Sequence, residues 1–423
     1  MVPGVSISST AMRATAMLLV IATLGGCGTS APDGSVARTD NAASALDAAN
    51  GCAATVIDTL GIIARRVYDE GVSSERTAST RQLIKASLPL REAVEAGNAQ
   101  AARAAARSLL ATGHMTNLLV MRSGHALVEV GGPHALAPLR GTLTGAGATP
   151  IATYVASVWA DNGFFAEAKG IAEGSVALRE DGHSIAGSFV LPRGELPPEG
   201  SLTEGHIGYR YTSFPADVFP AGRLRVYLLR SGASTAGLCG HTSEDTLVNT
   251  LSRVADNIYD GELGGRALAE VSRAQQDPAL LRAVAAREPA AATQAIKALL
   301  NEHIVRLRVS AEGRLLSDVG GRYVLAPVSA PLRLGGRIIG TLVLSIQDDE
   351  GYRRLTRRLA GLDVLMYMGS TLVKNDLGPE PGNVPDSGTY RYRGRIFRVH
   401  TLHAEAFPSG PLKIDVLIPI PYG

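Results

Sequence analysis

His303-Ile-Val-Arg-Leu-Arg-Val309, a turn at Glu312-Gly313, Leu315-Leu316, Asp318-Val-Gly-Gly321 and Leu325-Ala-Pro327 form the stretch from which the organisation of the chain is read. An earlier copy runs His114-Met-Thr-Asn-Leu-Leu-Val120, Ser123-Gly124, Ala126-Leu127, Glu129-Val-Gly-Gly132 and Leu136-Ala-Pro138. The shift of 189 positions between His114 and His303 holds without a gap through Pro138 and Pro327. Self-similarity at one fixed offset is the mark of a duplication.

The echo extends outward from this stretch. Cys52 with Asp58-Thr-Leu60 answers Cys239 with Asp245-Thr-Leu247, and Val67-Tyr-Asp69 answers Ile258-Tyr-Asp260 after a short insertion. Downstream, Ser157 to Phe164 answers Ser345 to Tyr352, and Phe219 to Leu224 answers Phe407 to Leu412. The period is too long for a solenoid, whose units run to a few tens of residues. The reading is therefore two complete domains, 51–233 and 234–423.

Each unit opens with helical spacing. Leu247, Val248, Leu251, Val254, Ala255 and Ile258 fall on one helix face, with Thr242 or Ser243 as cap and Asp245 near the positive end. A second helix is expected over 279–300, with Pro278 suited to its first turn; the first unit repeats both over 57–67 and 98–110. After His303 the pattern changes to short apolar runs between turns: 304–309, 314–319, 323–328 and, after Gly335-Gly336, 338–346. Residues 349–359 have helical spacing, and strands over 391–401 and 412–419 finish the unit. The expected class is α+β, two duplicated domains, each with N-terminal helices followed by an antiparallel PAS-like sheet.

Upstream of both units, Arg13 precedes an apolar run over 14–24, the length of a signal-peptide core and too short to span a bilayer. It ends Leu24-Gly25-Gly26-Cys27 and resembles the lipobox of bacterial lipoproteins. That resemblance implies a signal peptide over 1–26, lipidation of Cys27 and anchoring at the outer face of the cell membrane; an ordinary secretory peptide is the alternative. Residues 27–50 lack apolar periodicity and read as a flexible tether. With a net charge of +2 and only 5% aromatic residues, neither phosphate attraction nor base stacking is provided for, so nucleic acid is not an expected partner.

The order of elements, a long helix leading into a PAS-like sheet, in tandem and in an exported chain, resembles the Cache (PDC) class of extracytoplasmic sensor domains. The resemblance spans about 51–423 and rests on element order. It implies a small-molecule pocket over the sheet, with occupancy passed to the terminal helices. Familiar members continue into a membrane helix and a cytoplasmic signalling region, whereas this sequence stops at Gly423; signalling is then expected through a separate membrane partner, if it occurs.

Catalytic motifs are not found: no Gly-x-Ser-x-Gly elbow, no phosphate loop, no His-Glu-x-x-His. A hydrolase assembled from distant Ser, His and Asp residues is the weakest alternative. No cofactor or metal is expected. His400 and His403 on a strand point to opposite faces and cannot readily share an ion, and His403 with Glu405 reads as a solvated pair. His114 and His303 read as packing residues, with pH sensing or anion binding as the alternative. Asp161 and Asp349 match, and each can cap a helix or grip a ligand amine. Arg306 and Arg308 share a strand face and suit a carboxylate, with Tyr323, Gln347 and Tyr352 as plausible neighbours; an exposed sheet edge is the plain reading. The first unit has Asn117 and Leu119 there, so ligand binding is expected in the second. Arg353, Arg354, Arg357 and Arg358 read as a solvated helix face.

Cys52 and Cys239 precede the first helix of each unit and suit a disulfide in an oxidising compartment, with inherited buried thiols as the alternative. The expected function is extracytoplasmic sensing or binding of a small molecule, such as an amino acid or carboxylate, without enzymatic activity. The alternative is a structural or protein-interaction lipoprotein.

Overall fold

The computed structural model describes residues 37–300, 303–407 and 410–420. Cys27 and the signal-like segment lie outside the described residues. The chain divides into Met1–Asp47 and a compact unit, Ala48–Gly423, that contains both repeats. The first helix, Ala37–Ser73, begins well before Cys52. Residues 37–50, read above as tether, are therefore helical, as their many alanines favour.

Both repeats follow one plan. A long helix, Ala37–Ser73 or Ser243–Gly261, is followed by three shorter ones, and then come two antiparallel sheets with a helix inserted between them. The class is α+β, and the two domains are alike. Thr242 caps the second long helix, its hydroxyl accepting the Asp245 N–H at 3.0 Å. The single helix expected over 279–300 is two, Pro278–Ala286 and Pro289–Leu299. Pro289 has no N–H to continue the first, so it opens the second.

The sheet of each unit is in two parts. In the first repeat a four-stranded sheet takes the order His125–Gly131, Asn117–Arg122, Pro150–Ser157, Leu139–Thr144. A seven-stranded sheet is centred on Ile207–Val218, Gly222–Ser231 and Ser175–Glu180. The second repeat has the same two sheets, centred on Arg306–Ala311 and on Arg395–Phe407 with Gly410–Pro419. The repeated Leu-Ala-Pro is where the chain crosses between them, with Ala137 and Ala326 at φ 54° and 50°. The return crossing is pinned by Ser157 and Ser345. Each is fully buried and donates its hydroxyl to the carbonyl of Leu136 or Leu325. Each also accepts a backbone N–H, from Trp159 at 3.2 Å or Gln347 at 3.1 Å. Strands Asp363–Met368, Thr371–Asn375 and much of Ser387–Tyr392 escaped the periodicity reading. The first is apolar on both faces, a pattern that does not separate strand from helix.

The defining stretch closes the four-stranded sheet. Gly131 and Gly320 lie at φ 130° and 140°, and a Cβ on Gly320 would collide with the Val305 carbonyl. The next glycine in each copy offers its carbonyl to the same position of the facing strand: Asn117 donates to Gly132 at 2.7 Å, and Arg306 to Gly321. In the second repeat Asp318 also engages both arginines. Its carboxylate accepts from Arg306 at 2.7 and 2.9 Å and from Arg308 at 3.0 and 2.7 Å, while the two guanidiniums lie 5.3 and 5.0 Å from the Phe407 ring.

Helix packing corrects the repeat register. Thr55, Thr59, Leu60, Ala64 and Tyr68 of the first long helix correspond to Thr246, Thr250, Leu251, Ala255 and Tyr259, a shift of 191. Thr59 and Thr250 each donate to the carbonyl four residues back, at 2.7 Å in both. Tyr68 meets Phe164 and Tyr259 meets Tyr352 edge-on, at 6.2 Å in both. The Asp-Thr-Leu match at a shift of 187 is thus one helical turn out of step, which preserves the apolar face. Cys52 and Cys239 are joined by a disulfide, with Cα atoms 5.6 Å apart, but they are not equivalent positions.

One core runs through both repeats and includes both long helices, both inserted helices and the inner faces of both large sheets. The contacts across it are reciprocal. Asn257 of the second long helix donates to the Ile171 carbonyl of the first inserted helix at 3.1 Å. The equivalent Arg66 of the first long helix donates to the Leu359 carbonyl at the end of the second, also at 3.1 Å.

Peptide mapping without reduction is expected to recover a Cys52–Cys239 linked pair, and Cys239→Ser to cost about 2–4 kcal/mol in denaturant unfolding; free thiols in exported protein contradict the bridge. Burial raises the Asp318 carboxyl, but the hydrogen bonds from Arg306 and Arg308 outweigh it and leave the group below its ordinary range. A depressed folded-state value contributes stability that is present above the ordinary carboxylate pKa and lost as pH falls below it. Asp318→Asn is therefore expected to cost about 2 kcal/mol at neutral pH, in the range of a lost hydrogen bond to a charged group, and to flatten the acid limb of the stability profile. An unchanged acid limb would remove Asp318 as its source.

Candidate functional site

The seven-stranded sheet of the first repeat has two unlike faces, because side chains alternate along its strands. Val176, Leu178, Leu224, Val226 and Leu228 point to the shared core. Ala177, Arg179, Arg225, Tyr227 and Leu229 take the opposite face. There residues 188–198 fold back over the sheet, bringing Phe189, Leu191 and Leu196 against Tyr211 and Tyr227. Beside this small core lies a cavity of about 370 Å³ lined by Arg179, Arg223, Arg225, Tyr227, Asp181 and Glu195 among others. That is within the size range of small-molecule sites.

Strand register places its cations. Arg179 and Arg225 are direct cross-strand partners, and Arg225 also faces Pro215. Like charges so placed repel unless an anion lies between them. Arg179 is only 5% exposed. It donates through Nη2 to the carbonyls of Gly182, at 2.6 Å, and Gly194, whereas its Nε and Nη1 are buried without a partner. Arg225 donates to the Ser213 hydroxyl at 3.0 Å. Among the described residues none of the three arginines is in an ion pair, although Asp181 and Glu195 stand on the cavity wall. Leaving a buried donor unmade costs about 1–3 kcal/mol, more where it is charged. The arrangement can hold a small anion, with the two carboxylates able to face a cationic group on the same molecule.

A second cavity, of about 230 Å³, lies between the repeats and is lined by Glu70, Arg76, Trp159, Glu167, Arg266 and Arg358 among others. Much of its charge is internally matched. Glu70 pairs with Arg358, Arg266 with Glu262 at 3.2 Å, and Arg76 donates to the carbonyls of Gly113 and His114.

The six ligand residues expected in the second repeat line neither cavity. Arg306 and Arg308 are held by Asp318 as described. Tyr323, Gln347, Asp349 and Tyr352 do come together, around the start of the inserted helix Asp349–Leu355. The Tyr323 carbonyl accepts the Asp349 N–H at 3.2 Å. Gln347 is buried and donates to Glu262 at 3.3 Å. Tyr352 is fully buried, its hydroxyl donating to the Ala255 carbonyl at 3.3 Å. Asp349 accepts the Glu350 N–H at 3.0 Å and faces the Lys374 ammonium at 3.5 Å. The helix cap is Asp348, not Asp349. Asp161 accepts the next N–H at 2.6 Å. His400 meets Asp256 at 2.7 Å. Arg353 pairs with Glu350 and Asp376, while Arg354 and Arg358 reach Glu75 and Glu70 of the first repeat, so this helix face, with Arg354, Arg357 and Arg358 exposed, also carries ion pairs between the repeats. Among the described residues no group of three or more potential ligands is placed to hold a metal ion. Nor is any described helix long and apolar enough to cross a membrane.

No protein-family model matches this sequence, and no curated protein does. Solved structures with similarity include the periplasmic domain of Vibrio cholerae LuxQ, 14% identical, covering 40% of this chain and 98% of that one with a TM-score of 0.29. The ligand-binding domain of the Pseudomonas fluorescens chemoreceptor CtaA in complex with L-alanine is 13% identical, covering 41% and 96%, with a TM-score of 0.26. An extracellular ligand binding receptor from Desulfohalobium retbaense is 12% identical, covering 36% and 39%, with a TM-score of 0.21.

Proposed function

We propose that this chain is an extracytoplasmic lipoprotein with tandem Cache-like domains that binds a small carboxylate or amino acid on the outer face of the large sheet of its first repeat. The observation that carries the reading is Arg179: a nearly buried guanidinium with two unpartnered nitrogens, directly across the ladder from a second arginine, on the wall of a cavity. A planar guanidinium matches a carboxylate through paired hydrogen bonds. The chemistry first sought at Arg306 and Arg308 is met there by Asp318 from within the chain. The apolar run ending at Cys27 and the Cys52–Cys239 bridge fit an exported, lipid-anchored protein. Any signal would pass through a separate membrane partner.

The alternative, a structural or protein-interaction lipoprotein, is favoured by one observation. On the corresponding face of the second repeat, Leu365, Val384, Tyr390, Phe397, Val399 and Leu417 fill the space themselves.

A thermal-shift screen of amino acids and small carboxylates separates the two. A ligand at a hundred times its dissociation constant raises stability by about 2.7 kcal/mol. The shift is expected in the native chain and in Arg306→Ala, and to be lost in Arg179→Ala and Arg225→Ala. No response from the native chain across the panel favours the scaffold. A response that survives Arg179→Ala moves the site elsewhere.

A further inference from the structure

The duplication allows the arginine-lined face to be compared with its counterpart position by position. Arg179, Arg225 and Pro215 form one row across three strands; Tyr367, Lys413 and His403 form the corresponding row, with the same pairings. In the adjoining row, Ser213 and Tyr227 are answered by Thr401 and Asp415. Pro198, on the wall of the first cavity, is answered at the same shift of 188 by Asp386.

The cation at the shared position has opposite circumstances in the two repeats. Arg225 has no carboxylate partner among the described residues. Lys413 has two: Asp386 at 2.7 Å and Asp415 at 3.3 Å. Asp415 is a fixed part of the second-repeat face, fully buried and accepting the Thr401 hydroxyl at 2.6 Å, with its other oxygen unpartnered. Asp386 is different. It arrives from the covering segment rather than from the sheet, and its side chain is 67% exposed. It reaches Lys413 from the same side on which the first repeat leaves its cavity.

We propose that Asp386 is a built-in ligand, its carboxylate holding on Lys413 the place that a ligand carboxylate takes on Arg225, so that the second repeat carries a latent carboxylate site closed from within the chain. The inference rests on reading the first-repeat cavity as an anion site. A tethered carboxylate competes at an effective concentration set by its short connection, and a free carboxylate is excluded until the tether lets go. The hydrogen bond from Lys413 lowers the Asp386 carboxyl below its ordinary range.

The test uses the full chain and ¹³C-labelled acetate, with bound acetate followed by NMR. Native protein is expected to bind at the first repeat and to lose that binding in Arg179→Ala. Asp386→Ala is expected to gain a second site, at least about tenfold tighter at Lys413 than in the native chain, and to lose it again when Lys413→Met is added. Asp386 is exposed, so the single change leaves the core intact. If Asp386→Ala binds acetate only as the native chain does, or if its added site survives Lys413→Met, the latch is overturned while the first-repeat site stands. If the native chain binds no acetate yet Asp386→Ala gains a Lys413-dependent site, the latch is supported and the first-repeat reading falls.

Discussion

The structure depends on a shared burial: neither long helix can cover its apolar face within its own repeat. Ile63, Ala64, Val67 and Tyr68 on one side and Val254, Ala255, Ile258 and Tyr259 on the other belong to a single core. Each helix lies against the large sheet of its own repeat. Tyr68 and Tyr259 show this, hydrogen-bonding the backbone of Asp217 and of the equivalent Glu405 at 3.2 and 3.5 Å. The remaining face is closed by the inserted helix of the opposite repeat. That helix ends with carbonyls that have no intrahelical partner, and Asn257 and Arg66 supply the missing donors in reciprocal fashion. The two repeats therefore meet as an isologous pair does, through the same patch used twice, within one polypeptide.

Sharing the inner faces leaves the outer faces of the large sheets to diverge. A substitution at Val226 or Leu228 disturbs a core common to both repeats, whereas one at Arg225 or Tyr227 is felt only under the segment that covers that face. The contrast between Arg179 and Tyr367, or Tyr227 and Asp415, is the result. The same reasoning explains why the paired contacts at the centre are so nearly identical.

Much of this was legible in the sequence. The repeat, the capped helix beginning at Ser243, the strands around the Val-Gly-Gly turns and the α+β class all follow from spacing and turn residues, because these are local signals. The division of each sheet in two was not legible. It depends on Ala137 and Ala326 turning the chain and on Ser157 and Ser345 pinning its return, and only three-dimensional register identifies those small residues. The one-turn slip between the Asp-Thr-Leu matches escaped for a different reason: a shift of four residues leaves a helix face unchanged, so periodicity cannot detect it.

The arginine-lined face is only partly signalled in the sequence. Arg223-Leu-Arg-Val-Tyr-Leu-Leu-Arg230 alternates charge or aromatic with aliphatic through Tyr227, which marks a strand with one apolar face and one face bearing cations. Arg306-Leu-Arg-Val309 shows the same alternation. What separates the two is the partner strand. Arg308 faces Asp318 across the ladder, and Arg225 faces Arg179. A pair of arginines one residue apart is therefore an incomplete observation in any strand. A carboxylate on the neighbouring strand satisfies such charges from within the chain, as Asp318 does for Arg308, which faces it, and for Arg306, which faces Gly320; the residue opposite lies 10 positions away for Arg308 and 46 for Arg225.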